Sequence, residues 1–289
     1  VLPVVAWLIW WLCRNRGKRV AEAPARWFWS ILLALVTHPL LDAFTVYGTQ
    51  LLWPMHTPPV MWSSVFIIDP LYTVWLLVGC VIAWLAKERL LAQRALLAGL
   101  LVSTAYLGWS LAAKAIVDHR AGQDLAALGL EGAPRFSVPM PFNTLLWRVV
   151  AMTPDGYVIG DRSLVADRGP MSFKGYKSNV QALAEAQNIE AVQQLGWFNH
   201  GFMRARITDG KLVLSDLRMG LEPDYSFNFI VAERAADSEW QAIPPTQQQT
   251  AYRAPVAKGE LKETLQALWR RIWVQPPAGD APVADRRPQ

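Results

Sequence analysis

Long apolar runs set the pattern of the first third of the chain, and shorter alternating segments set the rest. Leu2 to Leu12 is apolar but falls short of the roughly 20 residues that cross a bilayer. It reads as the tail of a transmembrane helix. Three further runs are long enough to span, from about Trp27 to Trp53, Val65 to Ala86 and Leu90 to Ala113. Pro54, Pro58 and Pro59 mark a loop holding His56 between the first two, and Lys87, Glu88, Arg89 and Arg94 a charged loop between the last two.

Beyond Ala113 the pattern changes to that of a soluble fold. Val117 to Pro141 reads as a connector. Leu145 to Met152 is apolar and rich in strand formers, and Asp155-Gly156 is a tight-turn signal before Tyr157-Val158-Ile159. Ser178 to Leu195 reads as a helix with Ser178 and Gln181 as a capping box and Gly196 as its stop. Asp209-Gly210 joins Phe202–Ile207 to Lys211–Leu217 as a second hairpin, and Tyr225, Phe227, Phe229 and Val231 alternate along a further strand. The pattern predicts one antiparallel sheet of about five strands with a helix packed on it. Leu261, Leu265, Leu268 and Ile272 form the stripe of a last helix, with Trp269 and Trp273 beside it. That stripe suits packing on the sheet and lying on a membrane surface equally. The tail after Pro276 is Pro-rich and polar, and is expected to be disordered.

The fold class expected is thus a polytopic α-helical membrane domain (1–113) followed by a soluble α+β domain with an antiparallel sheet (114–275) and a disordered tail (276–289). Composition agrees, with 53% hydrophobic residues and 15 Trp. The net charge is +5, and much of the basic excess flanks the apolar runs. It reads as topogenic signal rather than nucleic-acid binding. The basic loops at 14–19 and 87–94 lie two spans apart, hence on one side, which the positive-inside rule makes cytoplasmic. The expected location is the bacterial inner membrane, multi-pass, with the C-terminal domain extracytoplasmic. Cys13 and Cys80 both sit in apolar runs and suggest neither a disulfide nor a metal site. Val1 opens inside an apolar run, so residues are expected to precede it.

Candidate chemistry lies in the spans. From Trp27 to Ala86 the only formal charges are Asp42 and Asp69, and an ionisable group at bilayer depth points to function. His38 and Asp42 stand four apart and share a helical face, which Thr45 and Thr49 would continue. Pro39 between them predicts a kink. A His and a carboxylate converging there are donors for a divalent metal. Asp42 lies roughly 24 Å of helix rise past Arg26, toward the outer leaflet. Asp69, at the outer end of the next span, is expected at similar depth. Asp69-Pro70 also reads as a helix cap and first turn, a role compatible with metal ligation. In the soluble part His119 and His200 read as structural or surface residues, and Asp216-Leu217-Arg218 as an internal ion pair. Phosphate loops, Cys-x-x-Cys and Gly-x-Ser-x-Gly are all lacking.

His38-Pro-Leu-Leu-Asp42, Thr45, Tyr47-Gly48-Thr49-Gln50-Leu51 and Trp53-Pro54 together resemble the YdjM-like family of inner-membrane metal-dependent hydrolases, some of them LexA-regulated. Ile68-Asp69-Pro70-Leu71-Tyr72-Thr73, Pro141 to Arg148 and Asp216 to Gly220 extend the resemblance, which runs from about Trp27 to Arg234. It implies a membrane enzyme with a divalent metal and His38 and Asp42 as metal-site residues; the ion expected there is zinc, with manganese as the alternative. The family pattern also has a His-Arg-Gly…Thr-His-Ser segment on an earlier helix. This chain lacks it, as an N-terminal truncation would explain.

The expected function is a membrane-bound metal-dependent hydrolase acting on a lipid or lipid-linked ester or phosphoester. His38, Asp42 and Asp69 are the expected ligands, Asp69 and Tyr47 the catalytic candidates, and Thr45, Tyr47 and Gln50 their supports. Arg148 is a candidate headgroup contact, and membrane lipids are the expected partners. The alternative is a non-enzymatic scaffold or an ion or proton path carrying an extracytoplasmic ligand-binding domain. A third reading is a lipid-binding module built on the sheet.

Overall fold

The structure is a computed structural model and describes residues 1–14, 18–235, 238–248 and 258–276. Arg16 and the tail from 277 onward lie outside the described residues. The chain divides into two compact units, Val1–Trp62 and Ser63–Gln289.

In the first unit α1 (Leu2–Cys13) packs against α3 (Pro24–Ala43), with the short α2 (Lys18–Glu22) between them in sequence. Pro24 opens α3 in a first-turn position, where a missing N–H costs nothing. The helix ends at Ala43, ten residues before the expected Trp53. Its end is closed locally: the Thr45 backbone N–H and Oγ1 both donate to the Asp42 carbonyl, at 3.0 and 2.8 Å. The chain then turns back on itself. Gly48 has φ +76°, and a Cβ there would lie 2.8 Å from the Val60 carbonyl oxygen, so the turn requires glycine. Thr49 bridges Val60, and the Trp62 N–H donates to the Ala43 carbonyl at 2.7 Å.

In the second unit α4 (Pro70–Leu85) and α5 (Arg89–Ala127) form an antiparallel hairpin. Its packing is the reverse of a soluble bundle. The buried residues on the apolar stretches are small, Gly79 on α4 and Gly99, Ser103 and Ser110 on α5. Large side chains face outward, with Trp84 at 84% and Leu101 at 60% exposure. Small residues between helices and large apolar ones outside are what lipid surroundings favour. A Cβ at Gly99 would lie 2.5 Å from the Trp75 carbonyl oxygen, so the crossing needs glycine there. Among the described residues α5 is the one helix long and apolar enough by itself to cross a membrane; α1 and α4 are shorter apolar helices.

The 39 residues of α5 run through the expected domain boundary at 113/114. Much of the segment read as a connector is therefore helix. Its far half carries Ala113, Val117 and Ala121 onto Trp147, Val149 and Met171. Those last residues belong to or border the first sheet. This sheet is antiparallel, in the order β1 (Arg135–Pro139), β2 (Leu146–Thr153), β3 (Gly156–Ser163), β4 (Lys174–Lys177). One helix thus serves as the hairpin's second arm and as the packing partner of the sheet.

The second sheet has β5 (Met203–Thr208), β6 (Lys211–Asp216), β9 (Asn228–Glu233) and β10 (Gln241–Gln247), in the order β10-β9-β6-β5. A ribbon of β7 (Gly220–Leu221) and β8 (Asp224–Tyr225) stands apart. The single sheet of about five strands expected from the pattern is therefore two sheets of four. The two Asp-Gly turns do close hairpins, between β2 and β3 and between β5 and β6. The expected helix from Ser178 is two, α6 (Val180–Glu185) and α7 (Glu190–Asn199). Asn179, not Ser178, caps α6, because the Ser178 hydroxyl accepts from the Ala205 N–H at 2.9 Å. Gly196 lies inside α7, and His200 ends it in the left-handed conformation. Ala182, Ala186 and Val192 pack on Ala205, Leu212, Leu214 and Val231 of the second sheet. The last helix, α8 (Lys258–Trp273), buries Ile272 and packs Leu268 against Met140 and Leu146.

Candidate functional site

His38 and Asp42 occupy the last turns of α3, on one face, as the spacing predicts. His38 Nε2 lies 3.6 Å from Asp42 Oδ2, and both side chains are open to the surroundings, at 79% and 46% exposure. That distance is too long for a good hydrogen bond. It is close to the separation of about 3.4 Å between two donors that each sit about 2.1 Å from a tetrahedral zinc. Pro39 lies within the helix, as read. Because α3 stops at Ala43, Thr45 and Thr49 do not continue its face. Thr45 instead fixes the Asp42 carbonyl at the helix end. Tyr47 is 45% exposed in the turn that follows, and Gln50 is half-buried beyond it.

Asp69 is buried at the start of α4 and is fully engaged by the fold. It is the N-cap: Oδ1 accepts from the Leu71 and Tyr72 N–H groups at 2.9 and 3.4 Å. The Tyr106 hydroxyl on α5 donates to Oδ2 at 2.8 Å. Ser103 Oγ donates to the Tyr72 carbonyl at 2.8 Å, a second polar tie across the hairpin. The cap foreseen from Asp69-Pro70 is present, while Tyr106 carried no signal in the sequence beyond being a Tyr in an apolar run.

A partly buried polar cluster lies farther along α5. Lys114 Nζ donates to Ser137 Oγ at 2.7 Å and to the Ser137 carbonyl at 3.0 Å, and lies 3.4 Å from Asp118. Ser137 Oγ in turn donates to Asp118 Oδ1 at 2.5 Å. The spacing of Lys114 and Asp118 on one helical face was the available clue. The cluster fastens β1 to α5, and Ser137 has no exposure to solvent.

In the soluble part Arg148 is held by Asp161, its register partner across β2 and β3, through two hydrogen bonds of 2.8 and 2.9 Å. A headgroup would have to compete with that bidentate pair. Arg204 pairs with Glu222 at 2.6 Å, and its guanidinium stacks 5.1 Å from the Tyr225 ring centre. The Tyr157 hydroxyl also donates to Glu222. Burial pushes the Tyr157 and Tyr225 phenols up, and for Tyr157 the Glu222 carboxylate adds to the shift. Asp216 and Arg218 form the internal ion pair expected, fully buried, with a 2.7 Å contact. His119 is exposed, with Gln123 at 3.2 Å, and His200 is a helix-end residue at the surface.

A metal would find two donors in His38 and Asp42. Among the described residues no group of three or more His, Cys, Asp or Glu is gathered to hold one. The pair fits one edge of a coordination shell, and catalytic zinc usually takes three protein ligands.

Residues 1–117 match the family model described as YdjM inner membrane protein. The helical part of the chain therefore carries that family's pattern, as the strings around His38 and Asp69 indicated. The match ends within α5, so the sheet-bearing part lies almost wholly outside it. Neither a curated protein nor a solved structure matches the chain.

Proposed function

We propose that this YdjM-type chain is a membrane-bound hydrolase of a lipid or lipid-linked ester or phosphoester, with His38 and Asp42 holding a divalent metal, zinc or manganese. The observation that carries the reading is the 3.6 Å separation of the two donors at the C-terminal end of α3. A bound metal would lower the pKa of its water and polarise a carbonyl or phosphoryl oxygen. His38 presents Nε2, and Asp42 presents a carboxylate whose backbone is fixed by Thr45. Tyr47 offers an exposed phenol as a donor to a substrate oxygen. Asp69, with both oxygens engaged, is assigned to positioning Tyr106 and α4 rather than to ligation or proton abstraction. In this reading α4 and α5 cross the inner membrane with Lys87, Glu88 and Arg89 on the cytoplasmic side, and the sheets lie outside.

The test is hydrolysis of fluorogenic acyl and phosphoryl lipid esters by the purified protein in nanodiscs. Activity abolished by a chelator, restored by zinc or manganese, and absent in His38→Ala and Asp42→Ala is the expected result. Hydrolysis that survives both substitutions would overturn the assignment of the site.

A non-enzymatic scaffold is the second reading. The continuity of α5 with the first sheet favours it, since a helix shared by both parts holds an outer domain at a fixed height. In that case Asp42→Ala would alter stability alone.

A further inference from the structure

We infer that the Pro141–Asn143 turn and the outward side of α8 form a face seated in the headgroup layer of the bilayer crossed by α5. This rests on the membrane reading of α4 and α5 and adds a contact that the hydrolase proposal does not require.

The turn is tied to the membrane hairpin. Trp109 Nε1 on α5 donates to Thr144 Oγ1 at 3.1 Å, and the Phe142 ring meets Phe66 edge-on at 5.5 Å. Phe66 lies three residues before the Asp69 cap, so the turn sits at the level where α4 begins. Ile67 and Ile68, 46% and 68% exposed, carry the apolar surface of the helices up to that level.

The turn is also built to hold Phe142 outward. Phe142 has φ +65°, a conformation that is costly for a bulky residue and persists only where its surroundings impose it. Asn143 imposes it: Oδ1 accepts from the Leu145 and Leu146 N–H groups at 2.9 and 2.7 Å, and Nδ2 donates to the Met140 and Pro141 carbonyls. The result is an exposed aromatic ring on a rigid mount.

Helix α8 completes the face. Its inner edge is docked by Ile272 and Leu268 and by Arg271, which pairs with Asp167 at 2.6 Å. Its other apolar edge, Leu265, Trp269 and Trp273, stays exposed. Between that edge and Phe142 runs a groove of about 560 Å³, with Lys262 at its side. Exposed tryptophans beside a lysine suit the boundary between acyl chains and phosphates. The occupant is the bilayer because the patch is continuous with the hairpin's own apolar surface.

The experiment uses the full chain with Cys13 and Cys80 replaced by serine, in nanodiscs of phosphatidylethanolamine and phosphatidylglycerol. Nitroxide labels are placed singly through Phe142→Cys, Trp269→Cys, Leu97→Cys on α5 and Arg206→Cys on β5. Accessibility to lipid-dissolved oxygen and to an aqueous nickel complex is then compared. Labels at 142 and 269 at shallow lipid depth, with 97 deep and 206 in water, support the inference. Labels at 142 and 269 as aqueous as 206, while 97 stays in lipid, overturn it and leave the membrane reading intact. Labels at 142 and 269 reached by neither reagent indicate a protein cover and overturn it equally. A label at 97 in water sinks the membrane reading, and this inference with it.

Discussion

Single residues carry two kinds of work here, and Asp69 shows how they are told apart. Its carboxylate caps α4 and accepts the Tyr106 hydroxyl. Asp69→Ala should cost ~1 kcal/mol from the cap and up to about 1–3 kcal/mol more from stranding the half-buried Tyr106 hydroxyl. Thermal unfolding in detergent checks this, and adding Tyr106→Phe should recover part of the loss. The buried phenols give a second prediction. Their folded pKa values are raised above the ordinary one by burial first. A raised folded pKa means the contribution is whole below the unfolded value, about 10 for tyrosine, and is lost as pH rises beyond it. The sheet-bearing domain should therefore lose stability above about pH 10, and Tyr157→Phe should flatten that fall. Urea melts across alkaline pH measure it; an unchanged slope would contradict the assignment. His38, Asp42 and the Asp69 cap were legible because each depends on neighbours within four positions. Tyr106 and the Lys114–Ser137 contact were not, since they join residues that only the fold brings together.

At the scale of elements, the hairpin of α4 and α5 depends on its glycine crossing. Gly99→Val should push the helices apart, with an overpacking cost of about 1–3 kcal/mol or more. Gly108→Val is the control, since a Cβ there meets nothing within 4 Å. Retention of the folded fraction in detergent should separate the two variants; equal tolerance would refute the crossing. The Asp-Gly hairpins were readable because two residues decide a tight turn. The end of α3 was not, because Thr45 and Gly48 close it through contacts with Asp42 and Val60. Nor was the full length of α5, whose Val117 and Ala121 look like a polar-flanked connector until a sheet covers them.

For the whole molecule, family pattern and structure divide the chain differently. The family match ends at residue 117, while α5 continues to Ala127 and fastens the α4–α5 hairpin to the first sheet. The sequence pattern could show a helical part and a sheet part, but one sheet and two sheets produce the same run of strands. If the sheets lie outside the inner membrane, protease added to spheroplasts should cleave within residues 128–276, and the loop at Lys87 should be protected. Cleavage only after lysis would place the domain inside. The most direct test of the functional account is the metal content of the purified protein, by mass spectrometry, for wild type, His38→Ala and Asp42→Ala. Stoichiometric zinc or manganese in the wild type, absent from both variants, is the predicted result. A well-folded wild type that stays metal-free when supplied with both ions would contradict it.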